Sequence, residues 1–129
     1  METITEQTIK YKAKDGKIFN KQSDCERYEE CLTNLYEQTI NALEDKKDKV
    51  LYVNYGGDYY TTLEDFLEKA KDIWYDDGYG SAEIYDNIYI VGENWWIERA
   101  EYDGAEWWEY KELPTRNATK KEISKNNII

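Results

Sequence analysis

Apolar positions along this 129-residue chain change period from one segment to the next. Near the start and beyond residue 82 they alternate with polar residues, and between those regions they recur every three or four. Residues 3–13 alternate loosely through Ile4, Ile9 and Tyr11 and predict a strand. Asp15-Gly16 tolerates the positive φ of a tight turn, so residues 17–20 are expected to return as a second strand. Ser23 and Glu26 have capping-box spacing. Helical period then runs through Tyr28, Leu32, Leu35, Tyr36, Thr39, Ile40 and Leu43, which predicts one continuous helix. Lys46, Lys47 and Lys49 suit the negative end of its dipole.

Residues 50–55 predict a buried strand, closed by Gly56-Gly57-Asp58. A second capping box, Thr61 with Glu64, opens a helix whose apolar face is Leu63, Phe66, Leu67, Ala70, Ile73 and Trp74. Its opposite face carries Asp65, Glu68, Lys69 and Asp72, and Asp76-Asp77-Gly78-Tyr79-Gly80 stops it. Strands are then expected over residues 84–91, Trp95–Tyr102 and 105–113, with Gly92-Glu93-Asn94 as the first turn and Asp103-Gly104 as a strong hairpin signal. The order ββαβαβββ predicts an α+β domain, an antiparallel sheet with two helices packed on one face. That single domain takes residues 1–114, and the polar, Lys- and Asn-rich stretch 115–129 is expected to be a flexible tail.

Counting outward from a two-residue Asp103-Gly104 turn pairs Tyr102 with Ala105, Ala100 with Trp107, Arg99 with Trp108 and Glu98 with Glu109. Side chains alternate between faces along a strand. Trp95, Ile97, Arg99, Trp108 and Tyr110 therefore share the face that packs on the helices, with Arg99 over the Trp108 ring. Trp96, Glu98, Ala100, Tyr102, Trp107, Glu109 and Lys111 share the other. Like charges directly opposite each other are unfavourable in a sheet, so Glu98 and Glu109 belong in water or against a basic partner.

Charge sharpens this picture. Residues 51–114 hold sixteen acids and four bases, whereas residues 1–50 hold eleven and nine, within a formal net charge of −11. All five tryptophans lie in the acidic block. Carboxylates steer cations and rigid aromatics anchor contacts, so the composition suits a cationic partner and disfavours direct binding to nucleic-acid phosphates. Aromatic content of 16 % argues against disorder.

No apolar run reaches the length of a membrane span, the N-terminus lacks a signal-peptide core, and a cytoplasmic protein is expected. Cys25 and Cys31 stand nearly two helical turns apart, too far for a disulfide. With no histidine in the chain, common serine, cysteine and zinc mechanisms lack a base or ligand. Gly56-Gly57 and Gly78-Tyr79-Gly80 do not complete a phosphate-binding loop or a dinucleotide fingerprint. No enzymatic activity, catalytic residue, metal or cofactor is therefore expected.

The run Tyr11-Lys12-Ala13-Lys14-Asp15-Gly16-Lys17-Ile18-Phe19, followed by Cys25-Glu26-Arg27-Tyr28-Glu29, resembles an N-terminal module of small accessory proteins from phages and prophages of low-GC bacteria. The segment from Trp96-Ile97-Glu98-Arg99 to Glu106-Trp107-Trp108 is similar to hairpins of such proteins. In size and acidity the chain also resembles anti-CRISPR and antirestriction proteins, many of which imitate DNA on a host nuclease. That resemblance implies a phage-encoded inhibitor acting in the bacterial host cell, its partner a basic, nucleic-acid-handling defence protein. The expected contact residues are Glu64, Asp65, Glu68, Asp72, Asp76, Asp77, Trp96, Glu98, Tyr102, Trp107 and Glu109, with Glu101 and Glu106 extending the acidic array. The alternative is a protein that binds or sequesters a small ligand, a nucleotide or sugar stacked in a pocket lined by Trp96, Trp107 and nearby tyrosines.

Overall fold

The structure, a computed structural model, describes residues 9–78, 80–114 and 119–129. Its dominant unit is the expected hairpin. Strand β8 (Trp95–Tyr102) and strand β9 (Ala105–Glu112) pair in the register counted from the turn, from Tyr102 with Ala105 out to Trp95 with Glu112. Asp103 and Gly104 have φ of 51° and 89°. Both central turn residues are left-handed, as the right-handed twist of the flanking strands requires, and this is why Asp-Gly fits there.

Three further strands complete an antiparallel sheet in the order β5-β4-β7-β8-β9, where β4 is Tyr52–Tyr55, β5 is Tyr59–Thr61 and β7 is Tyr89–Val91. Before them come a small ribbon of β1 (Tyr11–Lys12) with β2 (Ile18–Phe19), helix α1 (Gln22–Glu29), strand β3 (Thr33–Asn34) and helix α2 (Leu35–Leu43). Helix α3 (Leu63–Ala70) and strand β6 (Trp74–Tyr75) lie between β5 and β7. The class is α+β. Alternation along the strands sends Val53, Ile90, Trp95, Ile97 and Trp108 to one face, where they are buried with Leu35 and Leu43 of α2 and Ala70 of α3. Trp108 Nε1 donates to Thr39 Oγ1 of α2 at 2.9 Å, and Phe66 of α3 meets the Trp108 ring edge-on.

The structure departs from the expected element order in identifiable ways. The single helix predicted from Ser23 to Leu43 is two helices. Thr33 and Asn34 pair antiparallel with Tyr75 and Trp74, and Leu35 N donates to Ile73 O at 3.0 Å. Asn34 Oδ1 accepts from Glu37 N at 3.1 Å and so caps α2, while its Nδ2 donates to Lys71 O at 2.9 Å. A cap and a tertiary bridge outweigh the helical period through this stretch. Ile73 and Trp74, expected on the second helix, are drawn into the same bridge, so α3 ends at Ala70.

Both capping boxes also shift. Lys21 precedes α1 without a side-chain cap, and Glu26 accepts from Gln22 Nε2 instead. At α3 the cap is Thr62, whose hydroxyl accepts from Asp65 N at 3.1 Å. Strand β5 was not expected. It returns through Gly56 and Gly57, at φ of 63° and 85°, onto β4. The expected strand 84–91 pairs only over its last three residues. In the first predicted strand, residues 1–8 lie outside the described residues, as do Tyr79 and 115–118. Beyond the latter, a short 3-10 turn at Lys125–Asn127 follows Ser124, whose N and Oγ donate to Asn127 Oδ1 at 3.0 Å. Among the described residues, no helix is long and apolar enough to cross a membrane.

Candidate functional site

The outward face of the sheet is where the expected aromatic patch lies. Register and alternation put Tyr60 of β5, Tyr52 and Asn54 of β4, Tyr89 and Val91 of β7, Trp96 and Glu98 of β8, and Trp107 and Glu109 of β9 on this side. Among the described residues no helix is packed on it, since α2 and α3 pack on the opposite face. Trp107 is 39 % exposed and Tyr102, near the turn, 78 %. A hollow of about 400 Å³ on this face is lined by Tyr52, Asn54, Tyr89, Val91, Trp96 and Glu98. Glu98 and Glu109 do stand opposite each other. Each carboxylate is engaged along its own strand, Glu98 accepting from Trp96 Nε1 at 3.1 Å and Glu109 paired with Lys111 at 3.4 Å. These contacts draw the two charges into opposite partnerships and relieve part of the repulsion expected from the sequence.

The expected acidic residues do not form one surface. Glu64, Asp65 and Glu68 are exposed on α3, and Asp72 is exposed just beyond it. The apolar side of α3 faces the buried side of the sheet, so these carboxylates lie across the domain from Trp96, Glu98, Trp107 and Glu109. Within the helical group Lys71 pairs with Glu68 at 3.3 Å, and Thr61 Oγ1 reaches Asp65 Oδ2 at 3.5 Å.

Asp76 and Asp77 belong to neither set. They follow β6 and are half-buried in a loop folded against the turn end of the hairpin. Asp76 N donates to Glu83 Oε2 at 3.0 Å, Asp77 Oδ2 accepts from Gln38 Nε2 at 3.2 Å, and Asp77 O accepts from Glu106 N at 2.7 Å. The same loop brings Glu83 N to the Glu106 carboxylate and sets Asp86 on the wall of a cavity it shares with Glu101. A sequence signal for this acidic end exists: no Lys or Arg stands between Lys71 and Arg99.

Glu106 requires a correction. It is not a surface carboxylate but an almost fully buried one, 3 % exposed. Glu106 Oε1 accepts from Arg99 Nη2 at 2.9 Å and from Ile84 N at 3.1 Å, and Oε2 accepts from Glu83 N at 2.6 Å. At the start of the expected strand, the Ile84 amide thus serves the buried carboxylate instead of a sheet ladder. Arg99 is held in turn by Tyr75 Oη at 3.1 Å and Gln38 Oε1 at 3.0 Å. Its guanidinium lies 4.8 Å from the Trp108 ring centre, the expected cation–π contact, and 5.7 Å from that of Tyr75. Burial pushes the Tyr75 phenol up, against the lowering pull of Arg99.

The cysteines are free, Cys25 buried and Cys31 exposed. Burial, then Glu29, raises the Cys25 thiol and keeps it protonated. Among the described residues no cluster of acidic or thiol side chains has the geometry of a metal site. The arrangement offers hydrogen-bonding, stacking and electrostatic recognition. No protein-family model matches the chain, and neither a curated protein nor a solved structure matches it.

Proposed function

We propose that this protein works by binding, as an inhibitor that docks its acidic, aromatic surface on a basic, nucleic-acid-handling defence protein of a bacterial host. The observation that carries this reading is a charge imbalance that the fold leaves open. Residues 72–110 contain eleven acids and one base, Arg99. That base is buried against Glu106, so the segment supplies no surface cation of its own, and Lys111, the next base along β9, pairs with Glu109. The docking surface is the hairpin half of the open face, with Trp96, Tyr102 and Trp107 as anchors and Glu98 and Glu109 among them. The loop carrying Asp76, Asp77, Glu83 and Asp86 adjoins it. Helix α3, with Glu64, Asp65, Glu68 and Asp72, faces away and stands outside this surface. The phage setting comes from the resemblance of the N-terminal module and the hairpin.

Titration into DNA-cleavage assays with purified CRISPR and restriction nucleases tests the reading. Inhibition should weaken with salt and compete with DNA, because an anionic surface in a basic channel displaces the same counterions as phosphate. A Glu98→Lys/Glu109→Lys variant should lose inhibition, whereas Glu64→Lys/Glu68→Lys/Asp72→Lys should retain it. Inhibition that is insensitive to salt and to the first variant would remove the electrostatic reading.

The hollow lined by Tyr52, Tyr89 and Trp96 favours a second reading, a stacked sugar or nucleoside on the open face, with Asn54 and Glu98 to bond its hydroxyl or amino groups. Thermal stabilisation by such a compound, reduced by Trp96→Ala, is its measurement.

A further inference from the structure

Beside Arg99 there is a cavity of about 390 Å³ whose walls include Ile84, Asp86, Arg99, Ala100, Glu101 and Glu106. It opens where two strands part company. The β7–β8 ladder ends at Tyr89 paired with Glu98, and β8 runs on through Arg99, Ala100 and Glu101 with β9 alongside. On the β7 side of that stretch the loop 82–87 forms the opposite wall.

Arg99 is 8 % exposed, and its Nε–H has no acceptor among the described residues, although both Nη atoms are bonded. A buried donor left unpaired is costly, so this wall favours a ligand that brings an acceptor. Its charge requirement points away from anions. Glu106 already neutralises Arg99 at 2.9 Å, and Asp86 and Glu101 add exposed negative charge on the walls. A neutral acceptor such as a peptide carbonyl satisfies Nε–H, while a cation satisfies the two carboxylates. An extended peptide supplies both within one residue, and it can follow the unladdered stretch of β8 in the manner of an added strand.

We propose that this cavity seats a basic side chain, arginine or lysine, from an extended segment of the protein's partner, with a neighbouring peptide carbonyl accepting from Arg99 Nε. This deepens the reading of a cationic partner and rests on it.

The probe is N-acetyl-L-arginine N-methylamide, followed by two-dimensional ¹⁵N NMR that includes the arginine Nε–H region. Saturable shifts at Arg99 Nε–H, Ala100, Glu101 and Ile84 are expected. The uncharged citrulline analogue should bind far more weakly, and the glutamate analogue should not bind. Asp86→Asn/Glu101→Gln, two exposed positions outside the buried network, should weaken the arginine probe about tenfold, the size expected of two partly solvated ion pairs. Equal binding of the citrulline analogue, or shifts confined to other parts of the sheet, overturns the inference. So does a titration without saturation at millimolar probe in a protein whose spectrum is intact. A nuclease inhibited equally by the wild type and by Asp86→Asn/Glu101→Gln overturns this seat while leaving the docking proposal standing. Saturable probe binding without nuclease inhibition does the reverse.

Discussion

Replacing Glu106 by alanine should nearly unfold this protein, and the reason lies in what the carboxylate neutralises. The Arg99–Glu106 pair is buried on both sides, with side chains 3 % and 2 % exposed. Removing one partner strands the other charge in the interior, a loss of about 3–5 kcal/mol. Glu83 N and Ile84 N lose their acceptor as well, at about 1–3 kcal/mol each where water cannot reach them. The loop can swing outward and recover hydration at these amides, so we expect about 4–5 kcal/mol in all, close to the lower end of the ~5–15 kcal/mol that holds a typical domain together.

Urea unfolding read by tryptophan emission measures this loss, since Trp108 stacks on the guanidinium. The companion Arg99→Met/Glu106→Leu double variant removes both charges, and it should be more stable than Glu106→Ala by about 2 kcal/mol or more. Glu106→Gln keeps an acceptor for the amides and should fall between them. A loss below about 1 kcal/mol for Glu106→Ala, or a double variant no more stable than Glu106→Ala, would refute the claim that these groups act as one buried unit.

Other perturbations test separate parts of the fold. A Cβ on Gly92 would run into the indole of Trp95, so Gly92→Ala must displace a buried ring and should cost about 2–3 kcal/mol, visible as a lower melting temperature and altered tryptophan emission. Asn34→Ala removes both the cap of α2 and the bond to Lys71 O, and should cost about 1–2 kcal/mol in urea unfolding. Tyr28 is hydrogen-bonded to Asp15, and that bond pushes its phenol up to about 12. Because the folded value is raised, its contribution is intact below about pH 10, the ordinary phenol value, and fades as pH climbs towards 12. Asp15→Asn should bring the Tyr28 titration back towards the ordinary value, which phenol-carbon NMR can follow, and an unchanged titration would discount the bond.

Where periodicity and turn chemistry agree, the fold was legible in the residues. The hairpin is the clearest case, because Asp103-Gly104 fixes the register and the register fixes which tryptophans are buried. The break near Thr33 was not legible, because helical period persists across it and the bridge to Trp74 depends on a partner forty residues away. Strand β5 carried a usable sign in Gly56-Gly57 followed by Tyr59-Tyr60-Thr61. For the candidate site, the aromatic face followed from alternation alone. Separation of the α3 carboxylates from that face did not, since charge counted along a chain is silent about which side of a sheet a helix covers. Glu106 looked like one more surface acid because its partner Arg99 was assigned only to Trp108. A diagonal pair across the strands, two residues off the direct register and therefore on the same face, completes the neutralisation.

The cluster of buried side chains begins at Leu35, and residues 9–34 contribute none of its members. Ahead of the bridge at Thr33 and Asn34, the leading segment is held by a few smaller contacts: the β1–β2 ribbon, the Phe19–Tyr28 ring contact, and Lys14 above the Trp74 ring. Its opening therefore has its own, smaller free energy, and amide exchange should be faster at residues 13–30 than along β8 and β9. A head attached in this way can open while the sheet and its two covering helices stay folded.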